Sequence, residues 1–375
     1  MLKGNVQLTL MMGPVVPVPV PKEVVEALQS VSVTSGAGEP SGFELNFTLD
    51  KNSPLNTLLL MLGQVGPVIR TIIVVTVNGT PHVIMDGVVT QHQVTPEPEK
   101  GAMTLNVKGT DLTAAMDFID FTGLPYPGMP DEAQVALILA KYAVFGMIPL
   151  VIPRILMDVP IPTDRIPCHL GTDLYHINML AERAGYVFYI EPGPAPGTNI
   201  AYWGPQIKVG IPQPALNIDM DAHNNIESLS FTFNGEAGVL PIVFIQNPET
   251  RAPIPIPIPD ISPLNPPLGL IPPAVVRTKM MRDTARLNPI QAASLGLAEA
   301  SRSSDAITAH GSLDVVRYGH MLRARGLVGV RGVGHALNGL YYIKSVTHEI
   351  KVGEYKQRFT LTRNGLVSTV PTVPV

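Results

Sequence analysis

The chain has 375 residues, of which 15% are charged, with a formal net charge of -4 at pH 7, 38 prolines and 33 glycines. This length favours two or three domains, and the proline and glycine content favours strands and turns. The charge gives no general attraction to nucleic acid or to anionic membranes, so we expect neither nucleic-acid specificity nor stable membrane insertion. A single cysteine, Cys168, excludes an intrachain disulfide framework and a cysteine-based zinc site.

Hydropathy indicates that the chain buries surface against other subunits. The mean hydropathy of +0.23 is high for a soluble monomer, which normally keeps exposed apolar patches small. Two apolar stretches, 55–77 and 143–160, are interrupted by glycine, proline or arginine and are unsuited to span a bilayer. Alternating prolines near the N-terminus argue against a signal peptide, so we expect synthesis in the cytoplasm.

Residues 1–110 predict a first β domain. Apolar and polar residues alternate over 31–50 on both sides of a glycine-rich turn, which predicts an antiparallel hairpin. Residues 53–63 carry an N-cap, a proline and an apolar face, which predict a short helix. Asn78 and Gly79 are a strong signal for a second hairpin. About six or seven short strands and one helix suit a small barrel or sandwich.

Residues 111–200 change to apolar spacings of three and four, which indicate helices at 111–119, 131–146 and 172–184. The third helix places Leu174, Ile177 and Leu180 on one face, which we interpret as core rather than as an interface. This region is therefore predicted to be an α-containing domain inserted between two β domains.

Residues 201–375 return to strands and predict a second β domain. A strand is expected at 226–233, a helix at about 289–304, and a closing hairpin with its turn at 351–354. The proline-rich segment 249–273 favours extended polyproline II and is not expected to donate to a sheet ladder. The predicted fold class is α+β and mainly β, with two antiparallel β-barrel domains and an α-containing inserted domain.

Three short patterns could carry chemistry, and each has a simpler interpretation. Cys168 and His169 resemble a nucleophile and a base, but neighbours on a strand point to opposite faces, and spacing places no partner carboxylate. His169 and His176 are interpreted as ordinary polar surface. Residues 219–223 (DMDAH) alternate oxygen and nitrogen donors without the glycine and distal glutamate of an EF-hand, so a turn is expected. We predict no catalytic, cofactor-binding or metal-binding residue, no cofactor and no enzyme activity.

Two further patterns also have simpler interpretations. Gly332 and Gly334 begin a dinucleotide-like pattern, but Leu337 stands where the third glycine is required. A basic run comprises Arg317, Arg323, Arg325 and Arg331. It could line a lumen or meet an acidic partner, although a solvated strand face is the commoner arrangement.

Three segments together carry a family resemblance. Residues 172–192 combine Thr172 and Asp173 at a helix start with an LAE stretch, a glycine and an aromatic strand. Residues 337–364 contain a glycine-aromatic strand start, an S-V-x-H segment and a returning F-x-x-x-R strand, and residues 224–236 contribute a weaker match. The matching positions in the closing hairpin are Gly339, Tyr341, Ser345, Val346, His348, Phe359 and Arg363. This layout resembles the late control protein D family, which includes phage baseplate hubs and the hub portion of VgrG-type spike proteins.

The resemblance implies a homotrimer in which each subunit contributes two tube-like barrels, giving a pseudo-sixfold ring. Such a hub joins the hexameric inner tube to a trimeric spike and meets baseplate wedge or tube-initiator proteins, in a phage virion or an injection particle. The last hairpin lies close to residue 375, without the OB-fold and β-helical spike of VgrG proteins, so we expect the spike to be a separate protein. The alternatives are a tail-tip peptidoglycan hydrolase and a cell-wall-binding module. Such a binding module would expose an aromatic platform, and the chain has a single tryptophan, Trp203.

Overall fold

The computed structural model describes residues 6–14, 16–37, 41–49, 69–97, 102–154, 159–220, 223–246, 252–258, 266–281, 284, 287, 289–302 and 305–370. The predicted helix at 53–63 lies outside these residues. The strands are β1 Val6–Gly13, β2 Val18–Pro19, β3 Leu28–Gly36, β4 Gly42–Leu49, β5 Arg70–Val77, β6 Thr80–Glu97, β7 Ala102–Asp111, β8 Met147–Val151, β9 Tyr186–Pro192, β10 Asn199–Pro205, β11 Gln213–Asn217, β12 Ser228–Phe233, β13 Gly238–Gln246, β14 Pro253–Pro257, β15 Gly269–Ile271, β16 Val275–Met280, β17 Ile307–Asp314, β18 Leu327–Arg331, β19 Gly339–Lys351, β20 Glu354–Arg363 and β21 Leu366–Ser368.

Helices are few and short among the described residues. They are α1 Lys22–Glu26, α2 Asp131–Ala140, α3 Asp173–Ala184, α4 Pro289–Arg302 and α5 Val315–Tyr318, with 3-10 turns at Leu112–Met116 and Ala143–Phe145. In the described part of the chain, none of these helices has the length and apolar character needed to span a bilayer. The predicted first helix of the middle region is thus a 3-10 turn, and the second ends at residue 140 rather than 146.

One large sheet contains most strands of both β regions. Its order is β12-β17-β20-β19-β3-β4-β7-β6-β5-β1-β2, and β18 pairs with both β19 and β11. The two β regions meet where β3 and β19 pair antiparallel, with Val31 opposite Ile350. This confirms a mainly β fold with a large, mostly antiparallel sheet. The path of described strands is open, so closure into two barrels and the domain limits at 110 and 200 stay predictions.

The alternating pattern of the first β region produces the expected burial. In β4 every second side chain is buried, and Phe43, Leu45, Phe47 and Leu49 enter the core. The predicted hairpin at residues 78–79 is also present, with both residues at positive φ between the paired β5 and β6. A single apolar core contains residues of both β regions, from Val6 to Leu361.

A second core supports the middle region. It packs α2 and α3 against a three-stranded sheet of order β8-β10-β9 and includes Val88 from β6. A further three-stranded sheet, β14-β13-β16, lies against α4. The close approach is visible at Gly296, where an added Cβ would lie 2.9 Å from Val243 Cγ1.

The proline-rich segment corrects one prediction. Residues 253–257 form β14, which pairs antiparallel with β13, so this part does join a ladder. Prolines occupy only alternate positions, and successive backbone N–H groups point to opposite sides of a strand. Ile258 N donates to Pro241 O at 3.0 Å, which places the N–H groups of the even-numbered isoleucines toward β13 and the prolines toward the free edge. Strict alternation therefore permits an edge strand.

Candidate interaction surfaces and their support

The helix motif at 172–185 builds a capped and anchored helix. Thr172 Oγ1 accepts from Tyr175 N, so the N-cap is as predicted. Asp173 is fully buried, and its carboxylate accepts from Lys141 Nζ at 2.8 Å and from Tyr142 OH at 2.6 Å. The acidic residue of this motif thus fastens α3 to the end of α2, and both of its oxygens have partners.

The other end of α3 packs tightly against α4. Gly185 adopts φ 69°, and an added Cβ there would lie 2.6 Å from Ala298 Cβ. Ile177 and Leu180 are buried, and Leu174 packs against the same cluster, which confirms the predicted core stripe. The glycine of the motif therefore serves both the left-handed turn and the close contact between the two helices.

Both histidines of the middle region are buried, so the predicted polar surface is wrong for them. The rings of His169 and His176 stack with centroids 4.3 Å apart. Tyr126 OH lies 2.8 Å from His169 Nδ1. Leu170 N donates to His176 Nδ1, which leaves Nε2 as the donor to Gln134 Oε1 at 3.2 Å. Burial and the neighbouring His169 ring lower the pKa of His176 to about 4, so this ring is neutral at pH 7.

Cys168 and His169 lie in different environments. Cys168 is exposed whereas His169 is 0% exposed, which confirms that the two side chains point in opposite directions. A carboxylate does lie nearby, because Asp173 Oδ1, four residues along the chain, is 3.6 Å from His169 Nε2. That carboxylate is already engaged by Lys141 and Tyr142, so the arrangement supports packing rather than proton transfer.

The closing motif surrounds a buried guanidinium. Arg363 is 0% exposed and donates to Gly365 O at 2.7 Å, Asn338 O at 3.0 Å and Ala336 O at 2.7 Å. Its guanidinium carbon lies 4.4 Å from the centre of the Tyr341 ring. A planar group with several donors is required to satisfy three divergent carbonyls, so the arginine of this motif holds the loop before β19 in place.

The remaining residues of this motif have comparable structural roles. Gly339 adopts φ 127°, and an added Cβ would lie 2.1 Å from Ser368 Cβ. His348 Nδ1 lies 2.7 Å from Tyr355 OH inside the sheet, and Gln357 Nε2 is 3.3 Å away. Burial lowers the pKa of His348 to about 3, so the ring is neutral at pH 7. The motif thus stabilises the hairpin that meets β3.

A buried ion pair joins the first β region to the middle region. Arg70 Nε and Nη2 contact the two oxygens of Asp86 at 2.8 and 2.7 Å. The same guanidinium donates to Phe145 O at 2.8 Å and Gly197 O at 3.2 Å, and Asn199 Nδ2 donates to Asp86 Oδ2 at 2.8 Å. The sequence analysis did not predict this ion pair. A single arginine at the start of an aliphatic strand is a signal that could have indicated it.

The four arginines of the basic run lie on different elements. Arg325 Nη2 donates to Gly36 O at 2.7 Å, and its guanidinium carbon lies 4.0 Å from the centre of the Tyr189 ring, so this residue connects β3 with β9. The others are Arg317 in α5, Arg323 in the following loop and Arg331 at the end of β18. Arg323 Nη2 lies 2.9 Å from His82 Nδ1. At least Arg323 and Arg325 therefore contact groups of the chain itself.

Three other sequence candidates can be located in the structure. Trp203 is 0% exposed, so the sole tryptophan does not offer an aromatic platform to a carbohydrate. Asp219 lies at φ 52° in a turn, and residues 221–222 of the same pattern lie outside the described residues. Gly332 and Gly334 both take positive φ in the turn between β18 and β19.

Exposed aliphatic side chains occupy part of one side of the sheet β8-β10-β9, and we call this part the outer sheet face. Ile148, Leu150 and Ile200 are 58%, 44% and 36% exposed, and Ile148 pairs with Ile200. Ala201 and Trp203, which point to the opposite side of β10, are buried in the helical core. The side with Ala201 and Trp203 is thus packed on the helical core, while on the other side Ile148, Leu150 and Ile200 are exposed beside the buried Tyr202.

A second apolar surface lies on the ribbon formed by residues 118–126 and 166–175. Isolated bridges join Asp120 to Thr172 and Pro125 to Cys168, so the two segments run antiparallel. Its exposed apolar side chains are Phe118, Ile119, Leu124, Ile166, Leu170 and Tyr175. Exposed apolar patches of this kind mark interaction surfaces in soluble proteins. We therefore regard the outer sheet face and this apolar ribbon as the candidate interaction surfaces.

Solved structures of tail proteins share this fold. The tail protein of Neisseria meningitidis MC58 superposes with a TM-score of 0.63 at 12% identity, covering 96% of this chain and 98% of its own. The 43 kDa tail protein of prophage MuSo2 from Shewanella oneidensis gives 0.63 at 13%, with the same two coverages. A chain of the Francisella PdpA–VgrG complex gives 0.58 at 8%, covering 100% of this chain and 55% of its own.

Sequence comparison alone does not reach these proteins, because no family model and no curated protein matches the chain. The structural likeness extends over almost the whole chain and includes both phage tail proteins and a VgrG complex. It confirms, at the level of fold, the predicted resemblance to tail hubs and VgrG-type proteins.

Proposed function

We propose that this protein is the structural hub of a phage tail or of a related contractile injection system. Three copies form a ring that docks on the hexameric inner tube and, on its other side, receives a separate trimeric spike. Its working principle is geometric, because two related β regions per subunit supply six similar positions around a threefold axis. In the virion or injection particle, the ring also contacts baseplate wedge or tube-initiator proteins.

The observation that carries this proposal is the coverage of the structural likeness. A tail protein of nearly equal length superposes over 96% of the chain, so both β regions and the middle region have counterparts. The exposed aliphatic surfaces support the same role, since obligate interfaces are larger and more apolar than ordinary surface. The high mean hydropathy agrees with burial against neighbouring subunits.

The interior polar groups favour a structural role over an enzymatic one. The buried Asp173, Arg70 and Arg363 are all engaged by groups of the chain itself. Such internal contacts hold elements together, whereas a catalytic group must remain able to reach a substrate. A non-enzymatic hub therefore explains these residues more directly than a peptidoglycan hydrolase does.

Co-assembly with the tube and spike proteins of the same tail system tests the proposal. The wild-type hub is expected to elute with both partners in size-exclusion chromatography. Ile148→Asp/Ile200→Asp places two carboxylates on the outer sheet face and is expected to abolish assembly while circular dichroism and Tm stay unchanged. Val352→Asp, at a 72% exposed turn residue, serves as the control and is expected to assemble normally. A wild-type chain that binds neither partner would contradict the proposal.

A further inference from the structure

The sheet β14-β13-β16 has two edges of opposite chemical character. On the β14 edge, Pro253, Pro255 and Pro257 lack N–H groups on the side facing away from β13. Ile258 N donates inward to Pro241 O, which fixes this orientation for the even-numbered residues. A strand with no outward donors is a poor template for pairing, so this edge is blocked.

The opposite edge, β16, is open. All six of its residues are exposed, it contains no proline, and it is terminal in the order of described strands. Met281 N donates to Ile242 O at 2.9 Å, so the N–H groups of Thr278 and Met280 point away from β13. Among the described strands of this sheet, proline blocks the β14 edge, whereas β16 keeps its outward N–H groups.

The two faces of β16 also differ. Arg277 forms an ion pair with Glu236, and Lys279 Nζ lies 2.6 Å from Glu299 Oε1 of α4, so the charged residues face the helix side. These cations are 64% and 54% exposed. Exposed pairs are held by only about 0–1 kcal/mol, so carboxylates of an incoming chain can share both cations.

The other face of the same edge is uncharged. Thr278 pairs with Leu240 and Met280 with Ile242 in the parallel register between β16 and β13, so these side chains share one face. Met280 is 66% exposed. A strand added beside β16 would place every second side chain on this apolar face and the alternate ones beside Arg277 and Lys279.

We propose that β16 is a docking edge for an extended segment of a partner protein in which apolar and acidic residues alternate. Main-chain hydrogen bonds to Thr278 and Met280 supply the affinity, while the two faces of β16 select the side chains. The proline-blocked edge of β14 restricts this strand addition to one side of the sheet. This inference concerns a surface separate from the outer sheet face and does not depend on the proposed hub role.

Fluorescence anisotropy with a labelled, end-capped peptide that alternates valine and glutamate tests the docking edge. The full-length protein is expected to bind it, and Thr278→Pro or Met280→Pro to weaken binding by about tenfold or more. Thr278→Val keeps the N–H group and the β shape and is expected to bind normally. The same peptide with alternate amides N-methylated is expected to lose binding to the wild type, which checks the mechanism without any variant.

Side-chain selection is tested by reversing the charge. Arg277→Glu/Lys279→Glu is expected to reject the valine-glutamate peptide and to bind a valine-lysine peptide instead. Equal binding by wild type and Thr278→Pro, or no binding of the acidic peptide to the wild type, would overturn the proposal. If the edge were instead occupied by a second copy of the chain, Thr278→Pro would lower the native assembly mass without any peptide binding to the wild type, which also overturns it.

Discussion

Arg70 and Asp86 form a bidentate ion pair beneath the junction of the first β region and the middle region, with N–O distances of 2.8 and 2.7 Å. Their side chains are 5% and 0% exposed. Because Arg70 also binds the carbonyls of Phe145 and Gly197, the pair ties β5 and β6 to the turns that precede β8 and β10. The pair therefore opposes relative motion of the first β region and the middle region.

Removing one partner of this pair is expected to be costly. Arg70→Met leaves Asp86 buried without its counter-charge and should lower the free energy of unfolding by about 3–5 kcal/mol. Urea denaturation followed by circular dichroism measures the change. Lys22→Met breaks an exposed pair with Glu26 and should cost only about 0–1 kcal/mol. Equal costs for the two variants would show that the buried joint contributes no special stability.

The buried guanidinium of Arg363 should be irreplaceable by lysine. Arg363→Lys retains the charge but presents one ammonium in place of a planar group that reaches three carbonyls, so we expect a loss of about 2–4 kcal/mol. Arg358→Lys, at a 71% exposed side chain in the same strand, is the matched control and should change stability by less than about 0.5 kcal/mol. Thermal unfolding of both proteins gives the comparison, and an unaffected Arg363→Lys would remove the case for a structural anchor.

The stability cost of the close contact between α3 and α4 can be measured separately from the cost of backbone strain at a positive φ. Gly185→Ala combines a positive φ with a Cβ clash against Ala298 and should lower stability by about 2 kcal/mol or more. Gly79→Ala has a positive φ but nothing within 4 Å of the added Cβ, so it reports the strain alone. The double variant Gly185→Ala/Ala298→Gly should recover only part of the difference, because the added Cβ still lies 2.8 Å from Ala298 Cα and glycine inside a helix costs about 1 kcal/mol. If the two single variants lose equal stability, the helices are not packed as closely as described.

Acidification should destabilise the fold through two buried histidines. Burial lowers the pKa of His176 to about 4 and that of His348 to about 3, from an ordinary value of 6.5. The unfolded chain then binds more protons than the folded chain below about pH 6.5, so stability is complete above that pH and falls as the pH decreases toward the folded values. Between about pH 7 and 5, the wild type should lose at least about 1.4 kcal/mol more than His176→Gln/His348→Gln.

Urea titrations at the two pH values test this dependence. Other acidic groups titrate in both proteins. The difference between the wild type and the double variant in how the free energy of unfolding changes with pH therefore isolates the contribution of the two histidines. If the free energy of unfolding depends on pH identically in the wild type and the double variant, these rings are accessible to protons in the folded state.

Local patterns in the sequence predicted the parts of the fold that depend on neighbours along the chain. The alternation from Phe43 to Leu49, the turn at Gly79 and the cap at Thr172 each act within a few residues, and each is present in the structure. The overall likeness to tail proteins was predicted from the order of motifs rather than from any one of them. Fold class and resemblance were therefore accessible from the sequence.

Contacts between distant segments were not accessible in this way. Nothing near Asp86 in the sequence indicates Asn199 as its partner, and His169 becomes buried only because Tyr126 and His176 converge on it. Likewise, the pairing of β14 depends on the position of β13, which composition does not specify. In each case the local sequence pattern is compatible with several environments, and the tertiary arrangement decides which of them the residue occupies.

The symmetry of the isolated protein tests the central claim most directly. Native mass spectrometry and electron microscopy of the purified chain are expected to give a trimer with a threefold ring and a central channel, on which the hexameric tube protein docks. A stable monomer that forms no ring in the presence of the tube protein would contradict the proposed hub.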